Sequence, residues 1–341
     1  MVWRLCSCGC AVWGQTGCYV ILQAIPAAVP IETMTILSLI LALLLEQLRP
    51  ISSRNPIYLS FTRMANRLER ALNAGEYRNG VYGWLIATVP LLAISVAGYW
   101  LLVNINWMLG LAWNVVILYL TMGFRQFSHS FSGISKALQA GDLDTARALL
   151  ADWTGQHTSQ MNDDEVARFA IEQGLLDSYR YVFATVFWFV LLSWVAGPTG
   201  AVLYRAASLL AQKWASHEEN TVFGRCAAGI LEWLDYLPVR FTAAGFAVMG
   251  DFQDAVDCWR SQAQEWGNYA QGIILAAGAG AIGIRLGQAL HMDHTVKFRP
   301  ELGLGDLVTP SHLANAVGLI WRSILLWLAV VLVFTLGQWL S

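Results

Sequence analysis

The sequence predicts an all-α, polytopic membrane protein: a helical bundle with short amphipathic helices on its cytoplasmic side. Hydrophobic residues make up 56% of the 341 residues and charged residues only 13%, whereas soluble domains average about 25% charged residues. The mean hydropathy is +0.49, and several apolar stretches approach the roughly 20 residues that a helix needs to cross a bilayer. This composition excludes disordered and disulfide-stapled classes. A net charge of −2 indicates no nucleic-acid partner.

The first 33 residues differ in composition from the rest of the chain. The C-x-C-x-C spacing there has no nearby His, which makes it a weak zinc pattern, and we expect no metal site. We expect residues 1–33 to be a disordered extension or to precede a native start at Met34, and residues 34–341 to form one integral membrane domain. The head holds four of the six cysteines: Cys6, Cys8, Cys10 and Cys18.

Five apolar stretches predict the membrane helices. Tryptophans such as Trp84, Trp107 and Trp194 flank several of them, as in the aromatic belts of membrane interfaces. The short link Asn104-Ile105-Asn106 predicts that the second and third helices form a hairpin. The predicted helices lie near residues 35–48, 84–103, 107–124, 181–195 and 324–340.

The distribution of arginines predicts the orientation. Segment 49–83 carries six arginines and two glutamates, so it should be cytoplasmic, because basic loops stay inside. The hairpin tip carries no Lys or Arg, which makes segment 125–179 cytoplasmic as well. Within it, Gly141 can close one helix, and Asp142 and Asn162 can cap the next two. We therefore expect a multi-pass protein of the bacterial inner membrane.

Residues 197–290 are expected to contain broken or re-entrant segments. The basic residues from Arg205 to Arg322 would otherwise lie outside, against the positive-inside bias. Pro238 also predicts an interruption, since proline removes a helical hydrogen bond. The candidate segments are each short or carry an arginine, and they are residues 201–211, 239–250 and 272–290.

Polar residues within or beside the apolar helices are candidates for a ligand cavity or for buried ion pairs. Glu46 either contacts a ligand or pairs with Arg49 three residues on. Arg125 and His129 lie one helical turn apart and either hold a phosphate or mark the cytoplasmic interface. No catalytic residue is assigned. The seven candidates are Glu46, Arg125, His129, Glu172, Asp235, Arg240 and Arg285.

The remaining candidates depend on helix geometry. Glu172 and Asp177 lie five residues apart, off one helical face, which favours capping or solvated roles over paired-carboxylate catalysis. Asp235 and Arg240 flank Pro238, either as a structural pair or as part of a cavity. Arg285 lies in a Gly/Ala-rich segment, and we expect it to be buried and paired with Asp235 or Glu46.

Two further patterns are weak. His291 and His294 have the i, i+3 spacing of metal ligands, but no other placed ligand accompanies them, so no metal is expected. Gly278, Gly280 and Gly283 are not preceded by a strand and belong to no P-loop motif. Close packing of helices is the simpler role for these glycines.

Several segments, in the right order, resemble the CobD/CbiB family, the membrane-bound adenosylcobinamide-phosphate synthases of cobalamin assembly. Residues 237–243 (LPVRFTA) resemble the family's YLPARLTA, and residues 280–287 (GAIGIRLG) resemble its GALGVRLG. Residues 140–147 (AGDLDTAR) resemble AGDLEAAR, and residues 166–172 (VARFAIE), followed by Phe187-Trp188-Phe189, resemble VARAAVE…LFWF.

Other segments resemble AmpE, a branch of this family linked to β-lactamase induction and peptidoglycan recycling. Acids of the synthase pattern are replaced here by Leu176 and Ala211, and one is reversed in charge at Arg180. The likeness to AmpE is carried by residues 43–48 (LLLEQL), 234–240 (LDYLPVR), 248–250 (VMG), 255–259 (AVDCW) and 308–310 (VTP).

These resemblances imply an AmpE-like modulator of cell-envelope signalling with no intact catalytic motif. The alternative is the ATP- and Mg-dependent adenosylcobinamide-phosphate synthase. No cofactor is expected in the first case, and ATP and Mg²⁺ in the second. The expected partners are the lipid bilayer and an unknown small molecule or a cell-envelope signalling protein. A small-solute transporter is a third alternative, suggested by the broken helices alone.

Overall fold

The computed structural model describes residues 31–48, 56–73, 75–215, 221–292 and 295–339. The predicted N-terminal extension falls almost wholly outside these residues, as do its four cysteines, Arg49 and His294. The helices are α1 Ile31–Leu48, α2 Pro56–Leu72, α3 Tyr77–Ile105, α4 Trp107–Thr121, α5 Phe124–Gln139, α6 Leu143–Thr154, α7 Asp163–Ser178, α8 Ala184–Ala196, α9 Thr199–Trp214, α10 Thr221–Met249, α11 Phe252–Gln262, α12 Tyr269–Ile282 and α13 His312–Trp339.

The helical membrane class is confirmed by length and composition. Within the described residues, three helices are long and apolar enough to cross a membrane, namely α3, the helix that runs on from Asp163 to Ala196, and His312–Gly337. Helices α1, α4 and α12 are apolar but shorter. Helix α3 starts seven residues before the predicted position and α13 starts twelve before, because their first turns carry polar residues that a hydropathy pattern leaves out.

Short strands between α12 and α13 add to the predicted helices. Strand β1 pairs with β4 antiparallel and with β5 parallel, and β2 and β3 form a small antiparallel pair. In the first sheet Arg285 lies opposite Gly303. The strands are β1 Ile284–Leu286, β2 Leu290–Met292, β3 Thr295–Lys297, β4 Leu302–Gly303 and β5 Asp306–Leu307.

The predicted helix ends in the first half of the chain are confirmed. Asn106 links α3 to α4 and accepts the backbone N–H of Met108 at 2.9 Å. Gly141 adopts a φ of 74°, and Asp142 accepts the N–H of Thr145 at 3.1 Å. At the start of α7, Asn162 and Glu165 form a reciprocal capping box, which satisfies two N–H groups that a helix start leaves open.

Helix α10 is continuous, so the interruption predicted at Pro238 is wrong. A proline has no N–H, and the carbonyl of Leu234, four residues earlier, therefore lacks its helical donor. The indole N–H of Trp188, from α8, donates to this carbonyl at 3.1 Å. A side chain of a neighbouring helix thus replaces the missing backbone bond, and α10 runs through 29 residues.

Helix α12 lies at the centre of the bundle, with residues 272–281 all buried. It packs against α10 and α11. A Cβ added at Gly280 would come within 2.5 Å of the Asp254 carbonyl oxygen in α11. Glycine therefore lets the two backbones touch, as the sequence suggested for this stretch.

Candidate functional site

One face of α7 carries three charged residues that reach the segment after α12. Glu165, Arg168 and Glu172 share this face, since residues three and four apart are neighbours on a helix. All three are buried, and each is bonded within residues 287–299. A buried charge is stable only when it is paired and hydrogen-bonded, so these contacts fix how that segment lies against the helix.

Glu172 holds the strongest of these contacts. Its two oxygens accept Arg299 Nη1 at 2.5 Å and Nη2 at 3.2 Å, and Oε1 also accepts the Gly287 N–H at 2.8 Å. The Glu172 and Arg299 side chains are only 3% and 12% exposed. The guanidinium also lies 5.6 Å from the centre of the Trp266 ring. Both charges are therefore neutralised in a fixed, two-pronged geometry.

Arg168 and Glu165 hold the neighbouring turns. Arg168 donates to Gln288 Oε1 at 2.9 Å and to the Ala289 carbonyl at 2.6 Å. Gln288 has a φ of 64°, which is unfavourable for a residue with a side chain. Glu165 contacts His291 Nδ1 at 2.7 Å. These bonds hold a strained turn in place, a feature that is common at functional sites.

A cavity of about 470 Å³ adjoins this network. Small-molecule sites usually measure roughly 300–1,000 Å³. Cationic groups, amides and aromatic rings share its wall, so the cavity can receive an anionic group and a flat ring together. Its lining includes Phe169, Glu172, Gln173, Leu176, Trp266, Asn268, Gln271, Lys297, Phe298 and Arg299.

A second buried cluster lies deeper in the bundle, around Asp235 of α10. One Asp235 oxygen accepts the hydroxyls of Tyr179 and of Tyr204, the latter at 2.9 Å. Tyr179 begins a π-helical turn, Tyr179–Phe183, between α7 and α8. π-turns inside α-helices often mark functional sites. This turn brings Tyr179 to Asp235 and carries Arg180 on the next residue.

The structure separates the candidates that the sequence suggested. Glu172 and Asp235 are buried in polar networks, and Glu46 is buried near the end of α1. His129 is exposed on α5, and the Arg125 side chain lies outside the described residues. Arg240 does not pair with Asp235, so that prediction is wrong. It donates to the Tyr236 carbonyl and lies 3.8 Å from the centre of its ring.

The prediction for Arg285 is also wrong. Helix α12 ends at Ile282, because Gly283 takes the left-handed conformation with φ 76°, and Arg285 therefore lies on a strand. Its side chain is 46% exposed and contacts Glu301 at 3.4 Å, and not Asp235 or Glu46. A glycine just past the last helical residue is a common stop signal, and it was present in the sequence.

The sequence analysis missed Arg168, Lys297 and Arg299 as site residues. Arg168 lies inside the motif VARFAIE, where the family pattern could have singled it out. Arg299 meets Glu172 across 127 positions, a pairing that no local spacing reveals. Among the described residues, no group of three or more His, Cys, Asp or Glu could hold a metal ion. Burial, with the nearby Asp254 and Asp257, raises the pKa of the Cys258 thiol to about 11, which disfavours the thiolate form.

Comparison with known proteins places these features in a family. The profile of the CobD/Cbib protein family matches residues 36–320. The chain is 36% identical to the cobalamin biosynthesis protein CobD of Stutzerimonas stutzeri, covering 89% of this chain and 98% of that protein. It is 36% identical to the CobD of Chromobacterium violaceum, over 72% and 73% of the two chains. No solved structure matches the chain.

A more distant relative carries the same name. The CobD of Mycobacterium tuberculosis is 27% identical over 75% of this chain and 82% of its own. These relatives are cobalamin biosynthesis proteins by name, so the prediction of an AmpE-like regulator of β-lactamase induction is wrong. The family profile spans most of the chain, including α7, α12 and the strands that form the site. The chain belongs to the CobD/CbiB family.

Proposed function

We propose that this protein acts in cobalamin biosynthesis as the membrane-bound synthase of its family. That reaction joins an amino-alcohol phosphate to a corrinoid carboxylate at the expense of ATP. The observation that carries the proposal is the cavity of about 470 Å³, walled by the segments that resemble the family's VARAAVE and by the residues just before and after its GALGVRLG. The relatives at 36% identity bear the matching name.

The cavity suits a phosphate-bearing substrate better than a whole corrinoid. Lys297 supplies a positive charge that is not neutralised by the Glu172–Arg299 pair, while Gln271 and Asn268 add amide donors. Phe169, Trp266 and Phe298 offer flat apolar surfaces beside them. A nucleotide or an amino-alcohol phosphate therefore fits this chemistry, and a corrinoid would have to present only its carboxylate edge.

The residues present do not form a magnesium site of their own. Glu172 is the carboxylate among the lining residues of this cavity, and both its oxygens are engaged by Arg299. The family acid that would add a second carboxylate is replaced by Leu176, which lies on the same wall. We therefore assign no step to a metal ion, and ATP remains part of the proposal only as a co-substrate.

The chain's own residues bind and orient in this proposal. The Glu172–Arg299 pair holds the segment that carries Lys297 against α7, and Lys297 supplies the positive charge at the cavity. When bound, ATP supplies the activation of the corrinoid carboxylate, and the substrate amine displaces the activating group to form the amide. In the predicted orientation the cavity lies on the cytoplasmic side, where ATP is available.

Complementation tests the proposal. The gene should restore cobalamin-dependent growth to a strain that lacks its own cobinamide-phosphate synthase. Lys297→Gln should reduce this growth, because it removes a cation from the cavity. Lys213→Gln should not, since Lys213 is an exposed lysine at the end of α9 that does not line the cavity. A wild-type gene that is expressed in membranes but gives no growth would refute the synthase assignment.

A further inference from the structure

A second cavity, of about 290 Å³, lies between α2, α3, α4 and α9, away from the site described above. Its wall is mostly apolar, with Leu91 and Ile94 from α3 and Ile117 and Leu120 from α4. One cation enters it, the guanidinium of Arg205 on α9. The charge in an otherwise apolar space requires an explanation, because a desolvated cation is costly.

Aromatic rings hold the Arg205 guanidinium in position. Its central carbon lies 4.4 Å from the centre of the Tyr181 ring and 5.9 Å from that of Tyr58. The Nη1 atom is shielded from solvent and has no hydrogen-bond partner among the described residues. Asp177 attracts Arg205 electrostatically, but its own oxygens accept Trp153 and Gln173. Arg205 is therefore held beside Tyr181, and its Nη1 atom still lacks an acceptor among the described residues.

Two other polar groups of this cavity are hydrogen-bonded within the protein. Thr121 donates to the Ile117 carbonyl at 2.9 Å. The Ser95 hydroxyl accepts that of Thr199 at 3.3 Å. The buried groups of proteins are nearly always satisfied, so the Arg205 Nη1 atom is the donor that a bound acceptor would complete.

One side of the cavity is lined by an exposed apolar residue of a helix that could cross the membrane. Ile94 is 62% exposed and belongs to α3, a helix long enough to span a membrane. It lies 17 residues from the start of α3, about 25 Å along the helix. The Arg205 guanidinium instead lies beside Tyr58, which belongs to the segment 49–83 that is predicted to be cytoplasmic. An anionic head and an apolar tail therefore match the two ends.

We propose that this cavity binds an anionic phospholipid of the surrounding membrane. The lipid phosphate would accept Arg205 Nη1, and one acyl chain would lie along Leu91, Ile94 and Ile117. Lipid is favoured over a soluble phosphate compound, because the opening is flanked by exposed apolar side chains. The amphipathic helix α2, which contributes Tyr58, would cover the head group from the interface.

The test uses the full-length protein in phosphatidylcholine nanodiscs, with and without phosphatidylglycerol. Phosphatidylglycerol should raise the thermal unfolding midpoint of the wild type and should be recovered with the protein after purification. Arg205→Gln should weaken the apparent affinity by about tenfold or more, as expected for one charge-assisted hydrogen bond. Arg63→Gln, an exposed arginine of α2, is the matched control and should respond like the wild type.

A second variant keeps the proposal testable if Arg205→Gln does not fold. Ile94→Trp changes an exposed position at the mouth and should reduce the response to phosphatidylglycerol by obstructing the acyl chain. An equal response in Arg205→Gln or in Ile94→Trp would overturn the proposal. So would an equal stabilisation by inorganic phosphate at the same concentration, since that would identify a soluble anion as the ligand.

Discussion

Trp188 and Pro238 lie on different helices, and the hydrogen bond of Trp188 explains how the proline fits within α10. Pro238 deprives the Leu234 carbonyl of its donor within α10, and Trp188 supplies an N–H from α8 at 3.1 Å. Both residues fall in segments that resemble the family's LFWF and YLPARLTA. The proline can therefore stay inside a long helix without leaving a buried acceptor unsatisfied.

This pair predicts a thermodynamic cycle. Trp188→Phe should destabilise the protein by about 1–3 kcal/mol, because it removes the indole donor from the buried Leu234 carbonyl. In a Pro238→Ala background the restored backbone N–H can bond to that carbonyl, and the same change should cost less. Denaturant unfolding of the four proteins measures the coupling. Additive costs would mean that the indole N–H does not compensate for the proline.

The buried Glu172–Arg299 pair predicts a second cycle. Glu172→Gln should destabilise the protein by about 3–5 kcal/mol, since it leaves a guanidinium that is 12% exposed without its carboxylate. Adding Arg299→Met removes the stranded charge and should restore part of the loss. Thermal unfolding in one detergent compares the wild type, Glu172→Gln and the double variant. No recovery in the double variant would contradict the pairing.

At the scale of elements, glycines in α12 allow helices to approach each other. The added Cβ of Gly280→Ala would meet backbone atoms of Asp254 and Ala255, which cannot move without shifting α11. We expect a loss of about 1–3 kcal/mol, as for other overpacked cores. Gly229→Ala in α10 meets nothing within 4 Å and should instead gain about 0.5–1 kcal/mol. Equal unfolding midpoints for both variants would contradict this packing.

Elements were predictable from the sequence where the physical cause is local. The caps at Asp142 and Asn162 and the stop at Gly141 depend on neighbours within four residues, and the structure has them all. Pro238 was misjudged because its compensation comes from another helix. The prediction for Arg285 was wrong because Gly283 was interpreted as a packing residue within an apolar helix, whereas it ends α12.

The site itself was only partly predictable, for the same reason. Glu172 and Asp235 are acids inside apolar or family-like segments, and polar residues in such places stand out in a sequence. Their partners Arg299, Tyr179 and Tyr204 do not stand out, because the contacts bridge dozens of intervening positions. The family predicted from the motifs is confirmed. The AmpE branch is wrong, because that prediction gave the replaced acids more weight than the motifs that resemble the synthases.

At the scale of the whole molecule, the predicted orientation is testable by labelling. In a cysteine-free protein, a cysteine at exposed Arg285 should react with a membrane-impermeant maleimide only after the cells are lysed. A cysteine at exposed Asn104, at the hairpin tip, should react in intact spheroplasts, because the tip is predicted to be periplasmic. Labelling of both positions from the same side would contradict the predicted topology.

The contacts that join α7 to residues 287–299 also set the order in which the protein can mature. Arg168 and Gln288 are 120 positions apart, and Glu165 and His291 are 126 apart. During synthesis α7 therefore leaves the ribosome long before residues 287–299 are made. Until then its charged face lies in water or beside the translocon. Chains that end before Arg299 cannot neutralise Glu172, and quality-control proteases should remove them. The cavity is thus among the last parts of the protein to form, and it forms only in chains that extend beyond Arg299.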